Sequence, residues 1–241
     1  MKLAAVQYRP PKGLTEQARA ELSELIASVG PADLIVCPEM ATTGYVWSSP
    51  QEIFPHTEPA EGPTLAMLRE RAAAQGALIV CGFAERASDG LYNAALVVAP
   101  DGTHVVYRKV LLYELDLAWA RMGKQHMILD TPAGRVVPAI CMDLNDDRFT
   151  AHLAHSRADI VAFCTNWVDE GQDILPYWTW RLGGWKGWFV AADTWGEDRG
   201  TPFYGRSTIL APDGSVVAQA PSEGDCTIAH TTRSIPGGPT R

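Results

Sequence analysis

Residues 135–149 read RVVPAICMDLNDDRF. The apolar run from Val136 to Ile140 has the length and branched content of a buried strand, and it delivers Cys141 to the point where hydrophobic character stops and an acid-rich turn begins. Two other stretches share this layout. Residues 34–45 (LIVCPEMATTGY) and 107–110 (YRKV) each place one charged residue, Glu39 or Lys109, just past or within an apolar strand. In layered α/β folds ligands sit at the carboxyl ends of strands, so a shared sheet edge would bring the three together.

The flanking pattern sets the fold class. Residues 2–7 form a short apolar strand, and Leu14, Ala18, Leu22, Leu25, Ile26 and Val29 then recur at spacings of three and four, an amphipathic helix ended by Gly30-Pro31. Strands are expected at 33–37, 77–85, 91–99, 104–110, 126–131, 135–141, 159–164, 188–193 and 225–231, with helices at 64–75, 147–155 and 174–182. Residues 42–63, rich in Pro, Ser, Thr and Gly, read as a long surface loop that forms a rim over a pocket. Two segments echo each other, ALVVAPDGTHVVY and STILAPDGSVVAQ, each with a Pro-Asp-Gly turn between strands. Strands alternating with helices, plus hairpins, imply an α/β protein with two mixed sheets and helices outside, built as two similar halves around one core.

The bulk numbers narrow the function. With 241 residues, 46% hydrophobic and 20% charged, the chain has the composition of an ordinary soluble globular protein. A net charge of -8 without any Lys/Arg run argues against nucleic acid or an anionic membrane as partner. The first residues, MKLAAVQ, hold too short an apolar run for a signal peptide, and no run approaches the ~18 residues of a membrane span. Five cysteines at irregular spacing, without a C-x-x-C, indicate neither a disulfide framework nor a zinc site and suit a reducing cytoplasm. His152 and His155 lack further ligands nearby and read as a solvated helix face.

Glu39, Lys109 and Cys141 support a coherent chemistry. A thiol with an ordinary pKa near ~8.5 is mostly protonated at neutral pH and needs a base or cation beside it. Glu39 would take the proton, and Lys109 would stabilise a thiolate and a tetrahedral oxyanion, so acyl transfer through a thioester follows. Each residue alone has a plain structural reading: a buried core thiol, a solvated loop carboxylate, an exposed strand lysine.

The three stretches together resemble the carbon-nitrogen hydrolase (nitrilase) superfamily, amidase-like branch. Pro38-Glu39 with Thr43-Gly44-Tyr45, Tyr107-Arg108-Lys109 and Cys141-Met142-Asp143 match its motifs in order, and residues 157–160, Asn166-Trp167, 191–193 and 203–214 agree. The resemblance spans nearly the whole chain. It implies a four-layer αββα sandwich formed by a single domain over 1–241; the composition of 234–241 (SIPGGPTR) reads separately as a flexible tail or partner-binding arm. The resemblance implies no metal or organic cofactor, and a homodimer. It assigns Glu39 as general base, Lys109 as stabiliser of the intermediate and Cys141 as nucleophile, with the backbone N–H of Met142 completing an oxyanion hole. Members add a second carboxylate before the Gly that follows the Lys strand; counting back from Gly123, Asp116 fits that place and Glu114 stands close behind.

Tyr45, Glu114, Met142, Asn145, Asn166 and Trp167 are the expected substrate-binding residues. Six of the eight tryptophans fall between Trp167 and Trp195, and Trp167, just past a strand end, is the one expected in the pocket. Two departures matter. Asn145 stands where members acting on carboxylate-bearing substrates carry an Arg, which removes a bidentate clamp. The helix that reads Arg-Ala-x-Glu-Asn in many relatives ends here in Arg181-Leu-Gly-Gly-Trp185, so its packing should differ. The expected activity is hydrolysis of a small-molecule carboxamide to acid plus ammonia. Nitriles, N-carbamoyl amines and amino-terminal Asn or Gln are the alternatives within the superfamily, and an idle amide-binding module is the alternative outside catalysis. A serine hydrolase is disfavoured because Gly205-Arg206-Ser207-Thr208-Ile209 lacks the second Gly of a nucleophile elbow.

Overall fold

Three parallel strands form the middle of the first sheet: β1 (Lys2–Gln7), β2 (Leu34–Val36) and β3 (Leu78–Ala87). β4 (Gly90–Val98) and β5 (His104–Arg108) extend it as antiparallel neighbours. The second sheet repeats the plan. β6 (Leu129–Thr131) pairs antiparallel with β7 (Gly134–Ile140), which runs parallel to β8 (Ile160–Thr165) and β9 (Trp188–Asp193). After a separate hairpin, β10 (Trp195–Asp198) and β11 (Thr201–Tyr204), the chain adds β12 (Thr208–Leu210) and β13 (Val216–Gln219) beyond β9. β14 (Cys226–Thr231) then crosses back and pairs antiparallel with β1. The computed structural model describes residues 1–232, so the expected tail at 234–241 lies outside the described residues.

Apolar side chains explain the layering. Leu3, Leu34 and Val80 of the first sheet meet Val136, Ile160 and Val190 of the second in a buried layer between the sheets. The opposite face of the first sheet is covered by α1 (Thr15–Val29) and α3 (Pro63–Gln75). A four-residue helix, α2 (Pro50–Ile53), precedes α3. The outer face of the second sheet is covered by α4 (Asp147–Ser156) and α5 (Leu175–Arg181). The result is the αββα sandwich expected from the sequence. α1 buries Ala18, Leu22, Ile26 and Val29, the spacing its sequence announces. α5 stops because Gly183 and Gly184 take φ of 61° and 78°, values open to glycine at little cost.

The sequence echo has a structural counterpart. Each Pro-Asp-Gly turn closes a hairpin next to the third parallel strand of its sheet, β4–β5 in one and β12–β13 in the other. The turns are built alike: Asp101 Oδ1 accepts from the N–H and hydroxyl of Thr103 at 2.9 and 2.6 Å, and Asp213 Oδ1 from those of Ser215 at 3.0 and 2.6 Å.

Two expectations need correction. Residues 42–63 are not a simple surface loop: Tyr45, Trp47 and Ile53 are buried with Met40, Ala84, Trp119 and Phe203 in an apolar cluster of their own. The polar and Pro-rich spacing hid those anchors. The β10–β11 hairpin has no strand signature in the sequence, because Gly196, Gly200 and Pro202 break the alternation by which a strand is recognised.

Candidate active site

Topology gathers the site. β5 runs parallel to β2, so the carboxyl ends that carry Lys109 and Glu39 lie on one sheet edge, and antiparallel β4 begins there with Asn93. In the second sheet β7, β8 and β9 end in Cys141, Thr165-Asn166 and Asp193. The two edges together gather the acidic, basic and thiol side chains that the sequence singled out.

Glu39 and Lys109 are fully buried and paired: Lys109 Nζ lies 2.7 Å from Glu39 Oε1 and 2.6 Å from Asp116 Oδ2. Asn93 Nδ2 donates to Glu39 Oε1 at 2.7 Å and to Asp116 Oδ1 at 2.9 Å, so one amide bridges both carboxylates. The backbone N–H of Asn166 donates to Glu39 Oε2 at 2.9 Å, and its Nδ2 donates to the Glu39 carbonyl at 3.0 Å. Asp116 reaches Lys109 because the loop between them folds back. Gly123 N–H donates to the Lys109 carbonyl at 2.7 Å and closes it, and a Cβ on Gly123 would lie 2.1 Å from the Arg108 carbonyl oxygen. Inside the loop Tyr113 N–H donates to Asp116 Oδ2 at 3.0 Å.

Glu39 is held by a backbone approach that only glycine permits. Gly82 of β3 would place a Cβ 2.5 Å from the Glu39 Cα and 2.6 Å from the Pro38 carbonyl oxygen. Cys141 has φ of 42°, unusual for a residue other than glycine, and this bend lifts its side chain off the end of β7. Asp143 fixes the bend. It accepts from Ile140 N–H (2.9 Å), Val110 N–H (2.9 Å), Leu111 N–H (2.9 Å) and the Tyr107 hydroxyl (2.7 Å), tying the Cys141 turn to the segment after Lys109. His126 adds an outer link, 3.0 Å from both the Tyr107 hydroxyl and Asp146 Oδ2.

The electrostatics follow from burial and from the count of charges. Burial works against the Lys109 ammonium, but the charges of Asp116 and Glu39 outweigh it and hold the lysine protonated. Burial raises the Glu39 carboxyl, and Lys109 only partly offsets this, so it is a stronger base than a solvated carboxylate. Burial and then the Glu39 charge push the Cys141 thiol well up, against the pull of Lys109. One ammonium already faces two carboxylates, so a thiolate would add a second uncompensated negative charge. The resting group is the thiol.

Cys141 opens into a cavity of about 340 Å³. Of the residues named from the sequence, Met142, Asn145, Asn166 and Trp167 line it with Cys141. Met142 lies in the first turn of the short helix Cys141–Asn145, where N–H groups have no acceptor within the helix. Asn145 donates to Met142 Sδ at 3.1 Å and accepts from the Tyr177 hydroxyl at 2.8 Å, and Trp167 is held by its N–H on Asp193 Oδ1 at 3.0 Å.

Tyr45 and Glu114 stand elsewhere. Tyr45 is buried with its ring 5.8 Å from Lys109 Nζ and lines a second cavity, of about 470 Å³, which Asn166 also borders. Glu114 is exposed and lines neither cavity, so of the two acids Asp116 is the one that meets Lys109. The sequence pattern alone does not mark Asn93, Asp143, Tyr113, Glu170, Asp173 or Tyr177 as site residues. Asn93 gave one signal, an amide inside the apolar run of β4. Asp143 lay within the Cys-x-Asp motif without an assigned role. Trp178 and Trp188 are core residues, while Trp180 is 67% exposed.

Residues 2–234 match the family model described as carbon-nitrogen hydrolase. The chain is 32% identical over 225 residues to a nitrilase of Pyrococcus abyssi, covering 91% of this chain and 85% of that protein. It is 28% identical to omega-amidase YafV of Yersinia enterocolitica (81% of this chain, 75% of that protein) and 26% identical to the protein N-terminal amidase of Schizosaccharomyces pombe (87% and 91%). A solved CN-hydrolase superfamily protein from Xanthomonas campestris superposes with a TM-score of 0.83 over 98% of this chain and 91% of that one, at 23% identity, a likeness of fold.

Proposed function

Because the chain belongs to the carbon-nitrogen hydrolase family, we propose that it hydrolyses a small carboxamide to acid and ammonia through a thioester on Cys141. The observation that carries this reading is the buried Glu39–Lys109–Asp116 cluster beneath Asn166, beside the cavity into which Cys141 opens.

Glu39 takes the thiol proton as Cys141 Sγ bonds to the amide carbon, so no thiolate has to exist beforehand. Negative charge moves to the carbonyl oxygen, where the Met142 N–H and the Lys109 ammonium stabilise it. Glu39 returns the proton to the amide nitrogen, the carbon–nitrogen bond breaks, and ammonia leaves a thioester. Water then attacks with Glu39 again as base, the carbon–sulfur bond breaks, and the acid departs as the proton returns to sulfur. Asp116 acts through Lys109 as a positioning residue, keeping the ammonium in place when Glu39 becomes neutral. Side chains and backbone supply this chemistry without a cofactor.

The working form is proposed to be one catalytic domain in a cytoplasmic homodimer. Five free thiols suit a reducing compartment, and Trp180 and Tyr177 of α5 give apolar surface for a partner copy. The test is ammonia release from a panel of amides, nitriles and N-carbamoyl amines by the wild type and by Cys141→Ala. Release from an amide that the variant abolishes supports the reading. Release that the variant leaves unchanged refutes the thiol mechanism, and a wholly idle protein favours an amide-binding module.

A further inference from the structure

The walls of the Cys141 cavity carry a charge that the reaction does not use. Glu170 and Asp173 line it, and among the described residues lining it there is no Lys, Arg or His. Lys109 of the buried ion cluster is already matched by two carboxylates. Asp173 is fixed in place, its Oδ1 accepting from the Tyr204 hydroxyl at 3.0 Å and from Leu175 N–H at 3.2 Å. Glu170 has no ion pair or hydrogen bond among the described residues. Three aromatic rings, Tyr113, Trp167 and Tyr177, share the same walls. Asn166, which borders both this cavity and the second one, is 3% exposed, and its Nδ2 is committed to the Glu39 carbonyl.

Acceptor oxygens and aromatic faces without an opposing cation are the complement of an ammonium group, and they repel a carboxylate. We propose that this cavity selects carboxamides that also carry a positively charged amine, held by Glu170 and Asp173 against the aromatic walls. The inference rests on the amide-hydrolase reading and names its substrate class. Asn145, standing where an Arg would clamp an anion, fits the same preference and binds Tyr177 instead. The ammonium belongs either to a free amino amide or to the amino terminus of a peptide beginning with Asn or Gln.

The test is kcat/KM, from ammonia release, on three amides of equal length: 3-aminopropanamide, butanamide and succinamate. The expected order is cation, then neutral, then anion, with about tenfold between the first two, the scale of one cation–π contact plus a screened ion pair. Glu170→Gln should lower the cation-to-neutral ratio, and Glu170→Lys should raise succinamate relative to 3-aminopropanamide. An Asn-initiated tripeptide against its N-acetylated form tells whether a peptide terminus is the source; acetylation, which removes the charge, should lower kcat/KM by about the same tenfold. If butanamide matches 3-aminopropanamide, or Glu170→Lys leaves the ratios unchanged, charge selection is wrong while amide hydrolysis stands. Calorimetric binding to Cys141→Ala separates the remaining cases. Tighter binding of 3-aminopropanamide than of butanamide without turnover by the wild type upholds the selection and refutes hydrolysis. Equal or absent binding without turnover refutes both.

Discussion

Asn93 in β4 reaches across β3 to Glu39 at the end of β2, and its single amide nitrogen donates both to Glu39 and, on its other side, to Asp116. Two carboxylates that would repel each other are thereby held on either side of Lys109. Asn93 stabilises the charged form of Glu39, so its removal raises the Glu39 pKa. Asn93→Ala should lower kcat about a hundredfold by loosening the base and move the acid limb of kcat/KM to higher pH. An unmoved acid limb would mean that Asn93 is only a packing residue.

The second prediction concerns the thiol. With its pKa pushed up by burial and by Glu39, Cys141 should react with iodoacetamide at a rate that climbs about tenfold per pH unit from 6 to 9, without a plateau. Asp116 also raises the thiol, so Asp116→Asn should shift the alkylation profile to lower pH while slowing amide hydrolysis. A plateau below pH 7 in the wild type would reveal a preformed thiolate and contradict the general-base role of Glu39.

Gly82 gives a steric prediction. Gly82→Ala sets a methyl against the Glu39 Cα and the Pro38 carbonyl, so the backbone must shift, at a cost of about 1–3 kcal/mol. Denaturant unfolding should register that loss, and kcat should fall further than stability alone explains because Glu39 moves. Wild-type activity in this variant would show that the base tolerates displacement.

How much of this was legible in the sequence follows from what each residue does. Glu39, Lys109 and Cys141 could be read because each breaks an apolar strand at its end. The sandwich could be read because buried strands and amphipathic helices alternate plainly. Asn93 could not: a polar residue within β4 takes its meaning from Glu39, 54 positions away, and Asp116, 23 positions away. The choice between Asp116 and Glu114 depended on the fold-back closed by Gly123, a contact between backbones that leaves no side-chain signature. The acidic and aromatic cavity walls come from 113, 145 and 167–177, segments that only the tertiary fold brings together.

Acid stability gives a fourth prediction. Burial acts to raise Asp146, but the hydrogen bonds of Arg148 and His126 outweigh it and hold the carboxyl at about 2. A depressed carboxylate stabilises the fold above its unfolded pKa, near 4, and that contribution fades as pH falls toward 2. The shift corresponds to at most about 2.5 kcal/mol, reduced toward about 1 because solvent screens Arg148, which is 63% exposed. Asp146→Asn should therefore narrow the difference in unfolding free energy between pH 5 and pH 2; an unchanged difference would remove Asp146 from the acid response.

The most direct test of the account is mass spectrometry of the enzyme quenched in acid during turnover of an amide. The account predicts an added acyl mass on the peptide containing Cys141, formed at the rate of the first ammonia released and absent in Cys141→Ala. Ammonia release at full rate with Cys141 unmodified throughout would contradict it.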